Sequence, residues 1–272
     1  MTASPGVSTQ AARRPPGRSV LATERLTWLG HATVLLEVGG ARLLTDPVLR
    51  DRVGHLRRHT MPPAPDTFDA IDAVLISHIH LDHLDLPSLR RLGRETPVVV
   101  PRGAGALLRR HGFRRTVELE VGGRIDIRGV EVAAVPALHD GRRLPWGPVA
   151  EAIGFVVGGD RPVYFAGDTA LHDGMHALAG TLDVALLPVW GWGPTLGDGH
   201  MDPLAAAQAT ALLRPRAVVP IHWGTLFPAG LARVRGAALV EPPRLFARYA
   251  GELAPGVGVR ILTPGGSLEL DA

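Results

Sequence analysis

A buried strand that runs directly into a cluster of histidines is the feature that most constrains this chain. The apolar run AVLIS over 73–77 is typical of a buried strand, and His78, His80, Asp82 and His83 follow it at once. Three imidazoles and a carboxylate this close together would repel one another or lack partners in a folded core unless a cation lay between them. The fold must therefore place this strand end beside a metal-binding space.

Three further strand-like segments end on side chains of the same kind. His139 follows strand material over 116–135, Asp168 follows VYFAG, and His222 follows AVVPI. Because sites in α/β sheets form at the carboxyl ends of strands, these side chains can converge although they lie far apart in the sequence. Imidazole nitrogens and carboxylate oxygens are ligands of divalent cations, and seven of them suit two ions that share one bridging carboxylate.

Strands and helices alternate along the rest of the chain, which predicts one α/β sandwich domain over 23–272 after a disordered tail over 1–22. The first strands form a meander with a Gly39-Gly40 turn, and Asp202 followed by Pro203 predicts a capped helix start. Further helices are predicted over 87–92, 104–110, near 171–178 and over 241–253, and a closing β-hairpin over 257–270.

Composition excludes several classes of protein. The chain has no cysteine, and all 29 basic residues are arginine, so disulfides, thiolate metal sites and Schiff-base lysines are excluded. A net charge of +3 gives no strong field, and nucleic-acid binding is not expected. No apolar run reaches the roughly 18 to 20 residues of a membrane span, and no apolar stretch follows the arginines of the tail, so we expect a cytoplasmic protein.

The cluster at 78–83 has the form H-x-H-x-D-H, the hallmark of the metallo-β-lactamase superfamily, which this chain resembles. The resemblance extends to the branch that holds the N-acyl-phosphatidylethanolamine-hydrolysing phospholipase D and the ascorbate-6-phosphate lactonase. It is carried, in the family's order, by WLGHATVLLE (28–37), LLTDPV (43–48), IDAVLISHIHLDHLD (71–85), YFAGDT (164–169), HMDP (200–203) and IHWGT (221–225). It implies an α/β fold of the αββα type, in which two mixed β-sheets are flanked by helices.

The same resemblance implies a division of the metal ligands. It assigns one ion to His78, His80 and His139, the second ion to Asp82, His83 and His222, and the bridging position to Asp168. Two divalent ions are expected, with zinc first and manganese or iron as alternatives, since histidine and carboxylate sites accept all three.

Other residues are candidates for the pocket. Asp46 would orient a ligand imidazole, with a capping or turn role before Pro47 as the alternative. His31 would line the site, with packing in a tight turn as the alternative. Asp82 and His200 are the candidate catalytic residues, and His200 would give a proton to the leaving group. Tryptophans in loops beside the ligands could form an apolar mouth, with core packing as the alternative for each. These tryptophans are Trp146, Trp190, Trp192 and Trp223.

The leading hypothesis is a binuclear hydrolase in which a metal-bridging hydroxide attacks a phosphodiester of a lipid or a small soluble substrate. A lactonase of the ascorbate-6-phosphate lactonase type is the alternative, and a non-catalytic metal-binding or sensing module is the alternative from another class. Peripheral membrane contact has no support from the tail, and the oligomeric state is open.

Overall fold

The computed structural model describes residues 24–158, 161–191 and 197–270. The tail predicted over 1–22 and the candidate Trp192 lie outside these residues. Within them, strands alternate with short helices along the chain.

The strands of the described chain are β1 (Arg25–Gly30), β2 (Thr33–Val38), β3 (Ala41–Thr45), β4 (Arg52–Val53), β5 (Leu56–Arg58), β6 (Ala73–Leu75), β7 (Val98–Pro101), β8 (Thr116–Leu119), β9 (Arg124–Ile127), β10 (Val130–Pro136), β11 (Ile153–Val157), β12 (Val163–Phe165), β13 (Val184–Pro188), β14 (Ala217–Ile221), β15 (Leu226–Pro228), β16 (Gly258–Val259) and β17 (Ser267–Glu269). The α-helices are α1 (Leu86–Leu92), α2 (Gly105–Arg110), α3 (Pro203–Leu213), α4 (Ala232–Arg235) and α5 (Glu241–Leu253), and 3-10 helices span Pro65–Phe68, Asp173–Leu178 and Gly236–Leu239.

Two mixed sheets of seven strands form the body of the molecule. The first has the order β17-β1-β2-β3-β6-β7-β8, and the second has the order β16-β14-β13-β12-β11-β10-β9. A small third sheet, β15-β5-β4, joins the chain after His222 to the loop after β3.

The main core lies between the two large sheets. Trp28 and Leu36 from the first sheet and Phe155 and Phe165 from the second are fully buried in one apolar cluster. A second cluster joins the second sheet to α3 and α5, and a third joins the first sheet to α1 and α2. Helices therefore cover the outer face of each sheet, which confirms the αββα arrangement predicted from the sequence.

The predicted capped start of α3 is confirmed, and α1 also begins at a capping carboxylate. The Asp202 carboxylate accepts a hydrogen bond from the Ala205 amide at 2.8 Å, with Pro203 at the first helical position, and Asp85 caps α1 in the same way through Ser88. Both side chains satisfy amide groups that the first helical turn leaves unpaired.

The short helix predicted near 171–178 is present as the 3-10 helix Asp173–Leu178. One prediction about elements is wrong. The chain end is no hairpin: β16 pairs parallel with β14 in the second sheet, and β17 pairs antiparallel with β1 in the first. Local alternation reports that a segment is extended but does not report its partner strand, so the two strands were wrongly paired with each other.

Strand direction brings the ligand-type residues to one edge. In the first sheet β1, β3 and β6 run the same way, and His31, Asp46 and the 78–83 cluster follow them. In the second sheet β10, β12 and β14 also share one direction, and His139, Asp168 and His222 follow these strands. Among the described residues, no helix is both long and apolar enough to cross a bilayer.

Candidate metal centre

Three histidines direct ring nitrogens at one point. His78 Nε2 lies 3.0 Å from His80 Nδ1, and His139 Nε2 lies 3.0 Å from the same nitrogen. His78 and His80 come from the loop after β6, and His139 from the end of β10, so each sheet contributes to this group. We call these three residues the first ligand group.

The hydrogen bonds on the far side of the rings leave lone pairs facing inward. His139 Nδ1 lies 2.8 Å from the Gly199 carbonyl oxygen, which can only accept, so this nitrogen carries the proton and Nε2 carries the lone pair. Ser77 Oγ donates to Asp46 at 2.5 Å and so accepts from His78 Nδ1 at 3.0 Å. His80 Nδ1 can give a proton to only one of the two lone pairs it faces, whereas a cation satisfies both.

A second group lies beside the first. His83 Nε2 and His222 Nε2 are 3.2 Å apart, and both are 3.9 Å from Asp82 Oδ2. His222 Nδ1 donates to the Trp190 carbonyl oxygen at 2.6 Å, so the His222 lone pair also points into the group. We call Asp82, His83, His222 and their neighbour His31 the second ligand group.

His31 lies deeper in the site than the sequence indicated. Its Nε2 is 3.2 Å from Asp82 Oδ2, and its ring lies 4.0 Å from that of His222, centroid to centroid. It is a candidate ligand or a donor that orients Asp82, where the sequence suggested a residue lining the site. The backbone holds it in place, since the His31 carbonyl accepts from the His222 amide and from the Trp28 indole.

Asp168 connects the two groups. Its Oδ2 lies 3.2 Å from His222 Nε2 and 3.3 Å from His83 Nε2. A carboxylate oxygen of Asp168 also lies within 4.8 Å of a ring nitrogen of His139, which belongs to the first ligand group. Its second oxygen, Oδ1, is buried and has no hydrogen-bond partner among the described residues. An unpaired buried carboxylate oxygen is costly unless it faces a cation.

Asp46 contacts the ring of His83. Its Oδ2 accepts from His83 Nδ1 at 2.7 Å, and its Oδ1 accepts from the Ser77 amide at 2.8 Å. This is the contact expected of a carboxylate that sets the tautomer of a metal ligand. The role of Asp46 remains a prediction, and Ser77, which shares its carboxylate, had no signal in the sequence.

The electrostatics favour neutral imidazoles and ionised carboxylates. Burial lowers the pKa of His78 well below its ordinary value, and burial is also the main reason that the pKa of His139 falls to about 4 and that of His31 to about 3. Burial alone would raise the pKa of Asp82 and of Asp168, but the surrounding histidines outweigh it and hold both pKa values well below the usual range.

His83 is the exception among the buried imidazoles. Burial alone would lower its pKa, yet the charges of Asp168 and Asp46 raise that pKa well above its ordinary value. The two carboxylates therefore favour positive charge at this point of the site. A divalent ion on His83 Nε2 would supply that charge.

Backbone conformation at the site is unusual. His31, Asp46 and His222 have φ values of 54°, 33° and 62°, in the left-handed region that side chains other than glycine rarely occupy. Half of the six non-glycine residues with positive φ in the described chain thus lie at the site. Such conformations persist where surrounding contacts impose them, and the sequence carries no signal for them in histidine.

Arg143 holds the loop that carries the histidine cluster. Its guanidinium donates to the Ile79 carbonyl at 2.6 Å and the Leu84 carbonyl at 3.1 Å, on either side of Asp82 and His83. Arg58 is buried and also donates to backbone carbonyls, those of Val48 and Arg50. Both guanidinium groups therefore bind the protein's own backbone.

His200 lies at the wall of a cavity beside the first ligand group. Its Nε2 is 3.6 Å from Asp168 Oδ2, and its ring meets that of His139 edge-on at 4.7 Å. Burial opposes protonation of His200, but the hydrogen bond and charge of Asp168 raise its pKa. The cavity, which we call the entrance cavity, has a volume of about 960 Å³ and includes His139, Asp140, Trp190, Asp198 and Asp202 in its wall.

The candidate tryptophans occupy different places. Trp190 lines the entrance cavity. Trp223 stacks on Trp28 with ring centroids 4.9 Å apart and packs against the core. For Trp223 the structure therefore shows core packing, the alternative to a place at the mouth of the site. Trp146 is 99% exposed and is not among the residues lining that cavity.

The residues present fit divalent metal ions. Inward lone pairs of neutral imidazoles, ionised carboxylates and the unpartnered Asp168 Oδ1 make a nitrogen and oxygen donor set. The two ligand groups lie side by side with Asp168 between them, as expected for two neighbouring ions.

The family follows from comparison with known proteins. Residues 41–223 match the model of the beta-lactamase superfamily domain. The chain belongs to the metallo-β-lactamase superfamily. A UPF0173 metal-dependent hydrolase of Methanopyrus kandleri is 34% identical over 253 residues, 90% of this chain and 99% of the relative.

Two further relatives extend the comparison. An uncharacterised protein of Mycobacterium tuberculosis is 37% identical over 217 residues, and the match spans only 58% of that relative's length. The structure of a metallo hydrolase from Ignicoccus hospitalis aligns with a TM-score of 0.69 at 26% identity, covering 92% of this chain and all of that one. These matches extend the family assignment without indicating a particular substrate.

Proposed function

We propose that the protein is a binuclear phosphodiesterase. The observation that carries this proposal is the position of Asp168. Its carboxylate lies within 3.3 Å of two imidazoles of the second ligand group and within 4.8 Å of His139 in the first. A carboxylate shared in this way supports two neighbouring divalent ions, for which zinc is our first choice.

Each residue has a proposed task. His78, His80 and His139 would hold one ion, and Asp82, His83 and His222 would hold the other, with His31 next to Asp82. Asp168 would be shared by both groups, and Asp46 would keep the His83 ring in the tautomer that presents Nε2. Divalent ions bound there supply Lewis acidity and lower the pKa of a coordinated water, which makes hydrolysis feasible at neutral pH.

The charge of the entrance cavity favours a singly charged substrate. Its described wall carries Asp140, Asp198 and Asp202 and no arginine, and the chain has no lysine. A dianionic phosphate monoester would meet no arginine in the described wall, and the three carboxylates would repel its two charges more strongly than the single charge of a diester. A phosphodiester has one negative charge, which the ions themselves can neutralise.

The reaction consists of attack by water on phosphorus and cleavage of the bond to the leaving oxygen. His200 lies in the cavity wall with a quarter of its side chain exposed, where its protonated imidazole can give a proton to the departing alkoxide. The contact of His200 with Asp168 keeps the ring turned toward the ligand groups.

A lactonase is the second candidate. A neutral lactone would also suit a cavity wall that has three carboxylates and no arginine among its described residues. The same wall disfavours a lactone that carries a phosphate group, which is the form suggested by the ascorbate-6-phosphate lactonase resemblance. A non-catalytic module has no support from the site, because each of the seven positions expected to provide a metal ligand has a histidine or an aspartate.

A substrate panel tests the proposal. We expect the zinc-loaded protein to cleave bis-p-nitrophenyl phosphate at least about tenfold faster, in kcat/KM, than p-nitrophenyl phosphate. Opening of simple lactones with no diester cleavage would replace the phosphodiesterase with the lactonase. A preference for the monoester would contradict the argument from cavity charge.

A further inference from the structure

A second cleft adjoins the entrance cavity. It has a volume of about 350 Å³ and lies between the start of α3 and the helix α5. The two spaces share Trp190 and Asp202. Most of the remaining wall of this second space, which we call the α3–α5 cleft, is apolar and consists of Pro203, Leu204, Ala238, Pro242, Leu245 and Tyr249.

Two walls of the α3–α5 cleft are held in place by core packing. Pro203 and Pro242 are buried in the first turns of α3 and α5, where the proline ring fixes the backbone φ angle. Phe246 and Ala250 of α5 are fully buried in one cluster with Ala206 of α3. A cleft formed by two locked helices needs little reorganisation to bind a ligand.

Trp190 ties this cleft to the metal centre. Its carbonyl oxygen accepts the hydrogen bond from His222 Nδ1 at 2.6 Å, so its backbone is positioned by a residue of the second ligand group. The same residue lines both the entrance cavity and the α3–α5 cleft. Trp190 is therefore the residue at which the cleft and the entrance cavity meet.

We propose that the α3–α5 cleft binds an apolar arm of the substrate. This inference rests on the proposed hydrolase site and narrows its substrate class to an ester with a neutral or singly charged head group and an alkyl chain or aryl ring on one side. Leu204 is 42% exposed, and covering it and the neighbouring wall with such an arm removes apolar surface from water.

Binding of two phosphinates tests the inference without any hydrolysis. Methyl(octyl)phosphinate and dimethylphosphinate both carry one negative charge and have no ester bond to cleave, so they differ only in the arm. Calorimetric titration of the metal-loaded protein should show the octyl compound binding at least about tenfold tighter, since each methylene removed from water contributes roughly fourfold in affinity.

Two variants locate the effect. Leu204→Asp puts a charge into the cleft at a helix N-terminus, where an acidic residue is tolerated, and Ala238→Trp fills the cleft without adding charge. Both should bring the octyl affinity down to that of dimethylphosphinate while leaving the dimethyl affinity unchanged. Leu231→Asp is the matched control, because Leu231 is 41% exposed, precedes a helix and does not line the cleft.

The outcomes separate this inference from the proposed function. Equal affinity of the two phosphinates for the unmodified protein, or an octyl preference that survives both variants, would overturn the cleft assignment. An octyl preference that the variants abolish, in a protein that cleaves no diester, would support the cleft and contradict the phosphodiesterase. Diester cleavage with no octyl preference would support the phosphodiesterase and contradict the cleft assignment.

Discussion

Asp168 is the residue on which the two ligand groups depend. Its Oδ2 contacts His83 and His222, and its buried Oδ1 has no partner among the described residues. Replacing it removes the carboxylate that lies near both His139 and the histidines of the second ligand group.

The variant Asp168→Ala should retain about one ion or fewer per chain and lose at least roughly 100-fold in kcat/KM. Elemental analysis and the diester assay measure both effects. A variant that keeps two ions and near-normal turnover would show that Asp168 does not bridge.

His200 has a different expected signature. His200→Ala removes a proton donor from the cavity wall but none of the seven proposed ligands. We expect kcat to fall by roughly 10² to 10⁴ with metal content unchanged, and we expect activated p-nitrophenyl leaving groups to be affected least, since they need no proton. Loss of metal in this variant would make His200 a ligand instead.

For single residues, the sequence predicted which side chains come together but not the contacts that orient them. The H-x-H-x-D-H spacing and the residues after three other strands were sufficient to name His139, Asp168 and His222. The contacts that orient these rings come from the carbonyls of Gly199 and Trp190. A carbonyl group is present at every residue, so no side-chain pattern can identify those that serve the site.

The loops after β6 and β12 must approach each other closely. Gly167 has a φ of +62°, and a Cβ on it would lie 2.5 Å from Ser77 Cβ. Ser77 donates to Asp46, which in turn holds His83. A side chain at position 167 would therefore disturb the second ligand group through Ser77.

Gly167→Ala should lower the free energy of unfolding by roughly 2 to 4 kcal/mol, from the left-handed backbone and the overlap together. The matched control is Gly180→Ala, where φ is +72° and nothing lies within 4 Å of a Cβ, so only about 1 to 2 kcal/mol is expected. Urea denaturation measures both values. Equal losses in the two variants would mean that the overlap with Ser77 is relieved at no cost.

Arg143 supports the same loop from outside. Arg143→Ala removes two hydrogen bonds to carbonyls of the buried residues Ile79 and Leu84, and a loss of about 1 to 3 kcal/mol in stability is expected. The neighbouring Arg142→Ala, on an exposed residue, should change stability by less than about 0.5 kcal/mol. If Arg143→Ala is as stable as this control in urea, the guanidinium does not support the loop.

Elements with a local signal were predictable. The cap at Asp202, the glycine turn after β2 and the apolar run of β6 each act within a few residues, and all three are present in the structure. The pairing of β16 and β17 depends on residues more than 35 positions away or at the other end of the chain. Periodicity carries no information at that range, and the predicted hairpin failed for this reason.

Across the whole molecule, the αββα sandwich explains why the site residues that follow six different strands meet. Three strands of each sheet run toward one edge, and the sheets face each other across a shared apolar core. The resemblance predicted this architecture correctly. The α3–α5 cleft was not predictable, because it arises where two helices from separate parts of the chain pack on one sheet.

The measurement that tests the account most directly is the metal content of the purified, unmodified protein. Elemental analysis after dialysis should find about two divalent ions per chain. Removing them with a chelator should abolish diester cleavage, and zinc should restore it. One ion per chain with full turnover, or turnover that survives complete removal of metal, would contradict the two-ion centre around Asp168.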